Sequence, residues 1–382
     1  MHCAVLGTIR QYGKLWFDPK NHLEPFYIGG AKEEINRRLS KIKPPFYVSR
    51  PPRNTKDMKF WKAHEWYWWG IVYSVPVLKN ILPNLYLRHW ILFVEALFLL
   101  LQESIPKSQV FNGIELMALF TKDIEKLYGK EHCSFNVHTC EHLGKCVLDW
   151  GPLPDNSCFI YEDFNQVILK TIHSSKGVLD QVISQIRTIR SIPFILSTPA
   201  GNAILGMSVA KAERLLSPKN SVVCAQGNLE VLVLSPKLRA ISREERLAFA
   251  SQSVTLKMRE KLFFSQRIVV NGEVFHSKTI KVIKQRNSYT DLLTNGKIFM
   301  VHKYVIVNAL CYAVGTYLKS VKSFKLMADS RDLPHQIFVS KDAEPLSIVD
   351  VRDFVSKVVF LDCDYLNVNL VCIPPNRIDI LK

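Results

Sequence analysis

The sequence predicts an α+β protein built in two styles: a mostly helical N-terminal region followed by a β-rich barrel or sandwich module. Three observations carry this expectation. Apolar residues in the first 130 positions recur at helical spacing, as in Leu85, Trp90, Leu92, Phe93, Ala96, Leu97 and Leu100. From Gln266 onward the pattern changes to short runs rich in β-branched and aromatic residues. Two of the breaks between those runs are Asn271-Gly272 and Asn295-Gly296, and Asn-Gly between apolar runs is the strongest short hairpin signal. The expected segments are 1–130, 131–262 and 263–382.

Residues 2–17 read as an amphipathic helix through Val5, Leu6, Ile9, Leu15 and Trp16. No Ser, Thr, Asp or Asn stands ahead of it as a cap, so the chain is expected to start inside an element whose beginning lies upstream. Residues 31–42 form a short basic helix ended by Pro44-Pro45, and Pro51-Pro52 keeps the next stretch extended. Residues 57–70 gather Trp61, Trp66, Tyr67, Trp68 and Trp69 among lysines. Such a cluster can stack on bases, but a helix packed on its neighbours looks the same, and the core assignment is preferred. Helices follow over 71–79, 84–104 and 107–128, with Pro83 and Pro106 at two of the starts. Beyond the central stretch, helices are expected over 178–191, 202–215 and 242–261, then strands over 267–270, 274–284, 287–293, 297–307, 309–325, 335–340, 348–361 and 369–379.

Fifty Lys and Arg against 34 Asp and Glu give a net charge of +16, which points to a polyanionic partner, nucleic acid first. Apolar residues at 48% exclude a disordered chain. The nine cysteines are odd in number and contain no CxxC, which fits mostly free thiols in a reducing compartment. The longest apolar run, 90–101, is broken by Glu95 and is too short to span a bilayer, so no membrane partner is expected. No secretory leader is recognisable at the start.

Residues 135–173 carry the candidate chemistry. His138 and His142 are four apart, so a helix would put both imidazoles on one face as two of the four ligands of a zinc ion. The same spacing serves purely structural pairs. Cys133, Cys140, Cys146 and Cys158 are near in sequence without completing a standard zinc pattern. Glu162 opens a helix, where the helix dipole favours a carboxylate; the alternative role is a magnesium ligand, one of several needed to hold a two-metal centre. In the β-rich part, Lys278, Lys281, Lys284 and Arg286 are candidate DNA contacts, three of them sharing strand parity.

These motifs, taken in order, resemble the C-terminal half of CACTA-type DNA transposases and their animal relatives. The matching residues are Met1-His2-Cys3 with Leu6-Gly7, Ile42-Lys43-Pro44-Pro45 with Ser49-Arg50-Pro51, and Val75-Pro76-Val77-Leu78-Lys79. They continue through Leu127-Tyr128-Gly129, Phe135-Asn136-Val137-His138 with His142-Leu143, Trp150-Gly151-Pro152, Glu162 with Asn165, and His173. Val274, His276-Ser277-Lys278 and Arg286-Asn287-Ser288-Tyr289 close the series. Each motif is short, and together they span nearly the whole chain.

The resemblance implies an RNase H-like catalytic domain with a helical insertion over residues 1–130. The layout is distantly similar to the antigen-receptor recombinase core, where a zinc-holding histidine pair precedes the third acidic residue of the catalytic triad. Here Glu162 follows His142 by 20 positions and His138 by 24. The resemblance therefore implies that Glu162 is the third catalytic carboxylate, and that His138 and His142 hold a structural Zn2+. In the family, the two catalytic aspartates that complete the Mg2+ site precede the Met-His motif, and they are not in this chain. The chain is thus expected to be a truncated or domesticated, nuclear, DNA-binding derivative without strand transfer of its own. A homo-oligomer, or a partner supplying the missing catalytic half, would complete it. A chromatin or protein-interaction module is the alternative, and a nuclease recruiting Asp149, Asp155 or Asp163 is a third.

Overall fold

A computed structural model describes residues 2–158, 165, 168–198, 221–226, 229–252, 256, 260–270, 272–280, 286–321, 333, 335–342 and 344–376. The chain divides into two compact units, one made of Met1–Asn156 with Val223–Lys382, the other of Ser157–Val222. The fold is α+β, with helices leading and antiparallel sheets in the C-terminal part.

In the larger unit a π-helical stretch, Cys3–Ile9, runs into α1 (Arg10–Phe17). It is followed by α2 (Lys32–Ser40), α3 (Ala63–Trp68), α4 (Ser74–Leu78), α5 (Asn84–Leu100), α6 (Lys107–Tyr128), α7 (Phe135–Glu141) and α8 (Leu143–Trp150). The prolines sit as the sequence requires: Pro83 and Pro106 occupy the positions just before α5 and α6, where a missing N–H costs nothing. Gly129, at φ +99°, ends α6 in a conformation closed to most side chains. The tryptophan-rich stretch is core, since Trp66, Trp68 and Trp69 are almost wholly buried. Tyr12 and Trp16 of α1 meet Trp90 of α5 at ring separations of 5.2 and 5.0 Å, and Tyr12 meets Phe120 of α6 at 5.5 Å. Three helices are thereby joined through offset and edge-on aromatic contacts.

The strands are β1 (Ile42–Lys43), β2 (Ser221–Gln226), β3 (Leu229–Leu234), β4 (Lys237–Ala240), β5 (Lys261–Ser265), β6 (Arg267–Val270), β7 (Glu273–His276) and β8 (Thr290–Leu293). They continue with β9 (Ile298–Val307), β10 (Leu310–Leu318), β11 (Gln336–Val339), β12 (Leu346–Asp350), β13 (Phe354–Lys357), β14 (Val359–Cys363) and β15 (Val368–Cys372). They make three sheets. One has the order β1-β14-β15-β11 and another β2-β3-β6-β7. In the third, β9 is central: β10 covers one edge along its length, while β8 and β5 share the other. The β9–β10 turn is Asn308-Ala309 with both residues at positive φ, the two-residue geometry that matches strand twist. Gly315 of β10 lies at a register shift, and a Cβ there would sit 2.1 Å from the Met300 carbonyl oxygen.

Among the described residues no sheet closes on itself, so of the barrel or sandwich expected the barrel is overturned: the strands pair in three separate sheets. Side chains from the second and third sheets share one core, including Val231, Ile268 and Phe275 from one and Phe299, Val301 and Ala313 from the other. The first sheet lies between the helical layer and the rest. Val359, Leu361 and Cys363 face the helices, as do Val368, Leu370 and Cys372, while Phe360 and Val371 face the opposite core. A period of two with both faces apolar is what a sheet buried on both sides requires.

Two further corrections concern local structure. The helix expected over 242–261 spans only Arg243–Ser251. Ser242 and Glu245 form a reciprocal cap at its start, and Gln252 caps its end, leaving the helical range at φ −103° and ψ 14°. Strands β2 and β3 were not expected, although Leu229–Leu234 is rich in β-branched and aliphatic residues. In the smaller unit a helix spans Val178–Ser197 and carries Pro193. The helix expected over 202–215 lies outside the described residues.

Three buried histidines make stability depend on pH. Burial holds His89 and His276 at about 4 and His335 at about 3, below the value of about 6.5 expected in the unfolded chain. The unfolded chain therefore binds protons that the fold refuses between those values. Their stabilising contribution is complete above about pH 6.5 and is lost as pH falls toward 4, by up to about 1.4 kcal/mol per pH unit per histidine. Urea unfolding midpoints measured from pH 7.5 down to pH 4.5 are expected to fall accordingly, and His335→Gln is expected to lessen the slope.

Candidate functional site

α7 is fixed by its inner face. Val137 and Cys140 are buried, Thr8 Oγ1 lies 3.3 Å from Cys140 Sγ, and Ser134 Oγ donates to Gln11 Oε1 at 2.6 Å. Ser134 also caps the helix by accepting from the Val137 N–H. With that face turned inward, His138 and His142 point outward, His138 near the end of α7 and His142 at its C-cap. Their rings stand at 90° with centroids 5.0 Å apart, and the two Nε2 atoms approach to 3.4 Å. The edge of a tetrahedral zinc site with Zn–N bonds of about 2.05 Å is about 3.3 Å, so this separation fits two imidazoles sharing one metal. Glu141 Oε2 lies 3.6 Å from His138 Nδ1, the atom that would remain free to be oriented by a carboxylate.

The remaining ligands are not at hand. Among the described residues no group of three or more His, Cys, Asp or Glu is gathered closely enough to hold an ion. Cys140 lies on the buried face of α7, while Cys133, Cys146 and Cys158 are exposed. The pair thus fits zinc as half a site. Glu162 and Asp163 lie outside the described residues, so the 20-residue spacing to Glu162 remains a property of the sequence. Asp149 and Asp155 are exposed.

Of the four basic candidates, Lys281 and Lys284 also lie outside the described residues. Lys278 is exposed, with its N–H bonded to the Val301 carbonyl at 2.9 Å. It stands near Lys303 and His302; burial first, then these two cations, lower the His302 imidazole below its ordinary value. Lys303 and Arg239 converge on the buried Glu245, Arg239 Nη1 donating to Oε2 at 3.1 Å. Burial alone would raise the Glu245 carboxyl, but the hydrogen bonds from Arg239 and Lys303 outweigh it and hold the group at about 2. Arg239 and Lys303 both lie over the Phe264 ring, at 3.7 and 5.7 Å. These cations escaped sequence reading because they come from β4 and β9, two strands that β5 joins.

Arg286 is engaged inside the fold. Its guanidinium donates to the carbonyls of Pro45 and Ser49, each at 3.1 Å, and to that of Val48. The neighbouring backbone follows. Asn287 N–H donates to the Pro44 carbonyl and Phe46 N–H to Ser288 Oγ, both at 3.1 Å, and the Phe46 and His276 rings are 4.8 Å apart. The Ile42–Pro45 and Ser49–Pro51 motifs therefore meet the His276–Lys278 and Arg286–Tyr289 motifs at one seam, although more than 200 residues separate them. In Arg286→Ala three carbonyls lose a charged donor, and a loss of about 2–4 kcal/mol is expected in chemical unfolding. Arg286→Lys is expected to recover only part of it, because an ammonium cannot reproduce the planar fork.

Comparisons with known protein families, with curated proteins and with solved structures find no match for this chain.

Proposed function

We propose that this chain is a DNA-binding protein derived from a CACTA-type transposase, with His138 and His142 as two ligands of a structural zinc ion and Glu162 as the residue corresponding to the third catalytic carboxylate. The observation that carries the proposal is the 3.4 Å approach of the two Nε2 atoms. It occurs in the motif whose order and distance to Glu162 resemble those of the family. The net charge of +16 supports a polyanionic partner, and the exposed Lys278 beside Lys303 is a place where phosphate could be met. Zinc bound there would be held by both imidazoles in their neutral form and would cross-link them. Anchored through Val137 and Cys140, α7 would hold both rings in place. Binding without strand transfer of its own is the activity proposed for it.

A second reading, a protein-interaction module, is favoured by one observation: Arg286 uses its donors within the fold. Fluorescence anisotropy with duplex DNA separates the two. DNA binding predicts an affinity that falls steeply with salt, and Lys278→Ala should reduce the slope of log K against log salt by about 1. No binding at low salt would sink the proposal.

Metal analysis tests the zinc assignment. About one zinc per chain is expected, lost in His138→Ala with His142→Ala; equal zinc in that variant would exclude the pair. Incubation with magnesium and transposon-end DNA should give no cutting. Cutting that disappears in Glu162→Gln would overturn the expectation of binding alone.

A further inference from the structure

The core shared by the second and third sheets has two buried ionisable side chains beside it, Asp291 and Lys357, with the partly exposed Glu273 at their edge. Asp291 of β8 is fully buried, and neither carboxylate oxygen has a hydrogen-bond partner among the described residues. Lys357 of β13 is its direct cross-strand partner in the antiparallel register, so the two side chains leave the sheet on the same face. Lys357 is also buried. Its Nζ lies 3.0 Å from Glu273 Oε2, contributed by β7 of the facing sheet, and 4.0 Å from the Phe275 ring centroid. Phe275 packs on Phe354 at 5.6 Å, and Phe299 stands opposite Asp291 on β9. A buried carboxyl without a donor is costly, commonly by several kcal/mol. Burial pushes the Asp291 carboxyl well above its ordinary range, with Lys357 lowering and Glu273 raising it. A buried lysine, a buried carboxyl and the carboxylate of Glu273 thus meet beside one apolar core.

We propose that Lys357 and Asp291 join in an intramolecular amide bond, with Glu273 as the proton shuttle. Glu273 takes a proton from the Lys357 ammonium, and the resulting amine attacks Asp291 Cγ. The tetrahedral intermediate passes its nitrogen proton to the departing hydroxyl through Glu273, and the C–O bond breaks to release water. The C–N bond formed replaces the C–O bond lost, and the ammonium's extra proton leaves to solvent from Glu273. No oxidant, nucleotide or metal enters the balance. A cavity lined by Glu273, Lys357, Tyr47, Val355 and Glu103 gives the water and proton a way out. The bond removes two buried charged or acidic groups and ties β8 to β13 covalently, next to the register irregularity between Phe354 and Ser356.

Intact mass spectrometry of the purified 382-residue chain tests this directly. The expected mass is that of the sequence less one water. A digest should contain a branched peptide carrying both Asp291 and Lys357. Lys357→Arg and Glu273→Gln should restore the full mass, and Asp291→Asn should lose ammonia in place of water. A wild-type chain at full mass with a cooperative melting transition would overturn the proposal. So would a water loss confined to one linear peptide. Because both decisive readings come from the wild-type protein, a variant that fails to fold leaves the test intact.

Discussion

The backbone of residues 44–49 poses a problem that the rest of the larger unit is built around. Two prolines remove N–H groups from this stretch and keep it out of helix and ladder, so its carbonyls need donors from elsewhere. Arg286 provides them, reaching from more than 230 residues away to three carbonyls at once. The planar fork of a guanidinium suits this, since several donors are fixed in one plane. With the loop held, Ile42 and Lys43 pair with Leu361 and Phe360 at the edge of the first sheet, and Tyr47 OH donates to the Lys357 carbonyl at 3.0 Å. Without that docking, the helical layer and the β layer would share apolar contacts but little register.

The first sheet turns that local latch into a layered molecule. Its two central strands are apolar on both faces, one set of side chains serving the helices and the other the β core. A polar residue at Leu361 or Leu370 would therefore disturb the helical side, while one at Val371 would disturb the other. Stacking reinforces the junction: the buried His335 ring lies 3.9 Å from that of Phe98, with Nε2 at 3.2 Å from the Ile71 carbonyl. The helical layer is consequently bound to the sheet by polar as well as apolar contacts.

Much of the helical layer was legible because its signals are local. Pro83, Pro106 and Gly129 mark ends, and the apolar spacing marks faces. The Asn295-Gly296 hairpin was legible for the same reason, whereas the Asn308-Ala309 turn puts two residues at positive φ without the glycine that would announce it. A two-residue strand such as Ile42–Lys43 has no signature of its own, because its pairing is decided by the loop that follows it. At the candidate site the outward pairing of His138 and His142 could be read from spacing alone. The internal use of Arg286 could not, since its acceptors lie in another part of the chain, and the Glu245 cluster depends on which strands become neighbours.

The pairing of Ile42–Lys43 with β14 also dictates an order of events during synthesis. The helices leave the ribosome about 200 residues ahead of the strands that cover one side of them, β14 and β15. Until then that apolar side has no partner from its own chain. Contacts of such long sequence separation form slowly, and an uncovered apolar surface invites association with other chains. The architecture thus leaves one side of the nascent helical layer uncovered until β14 and β15 have been made.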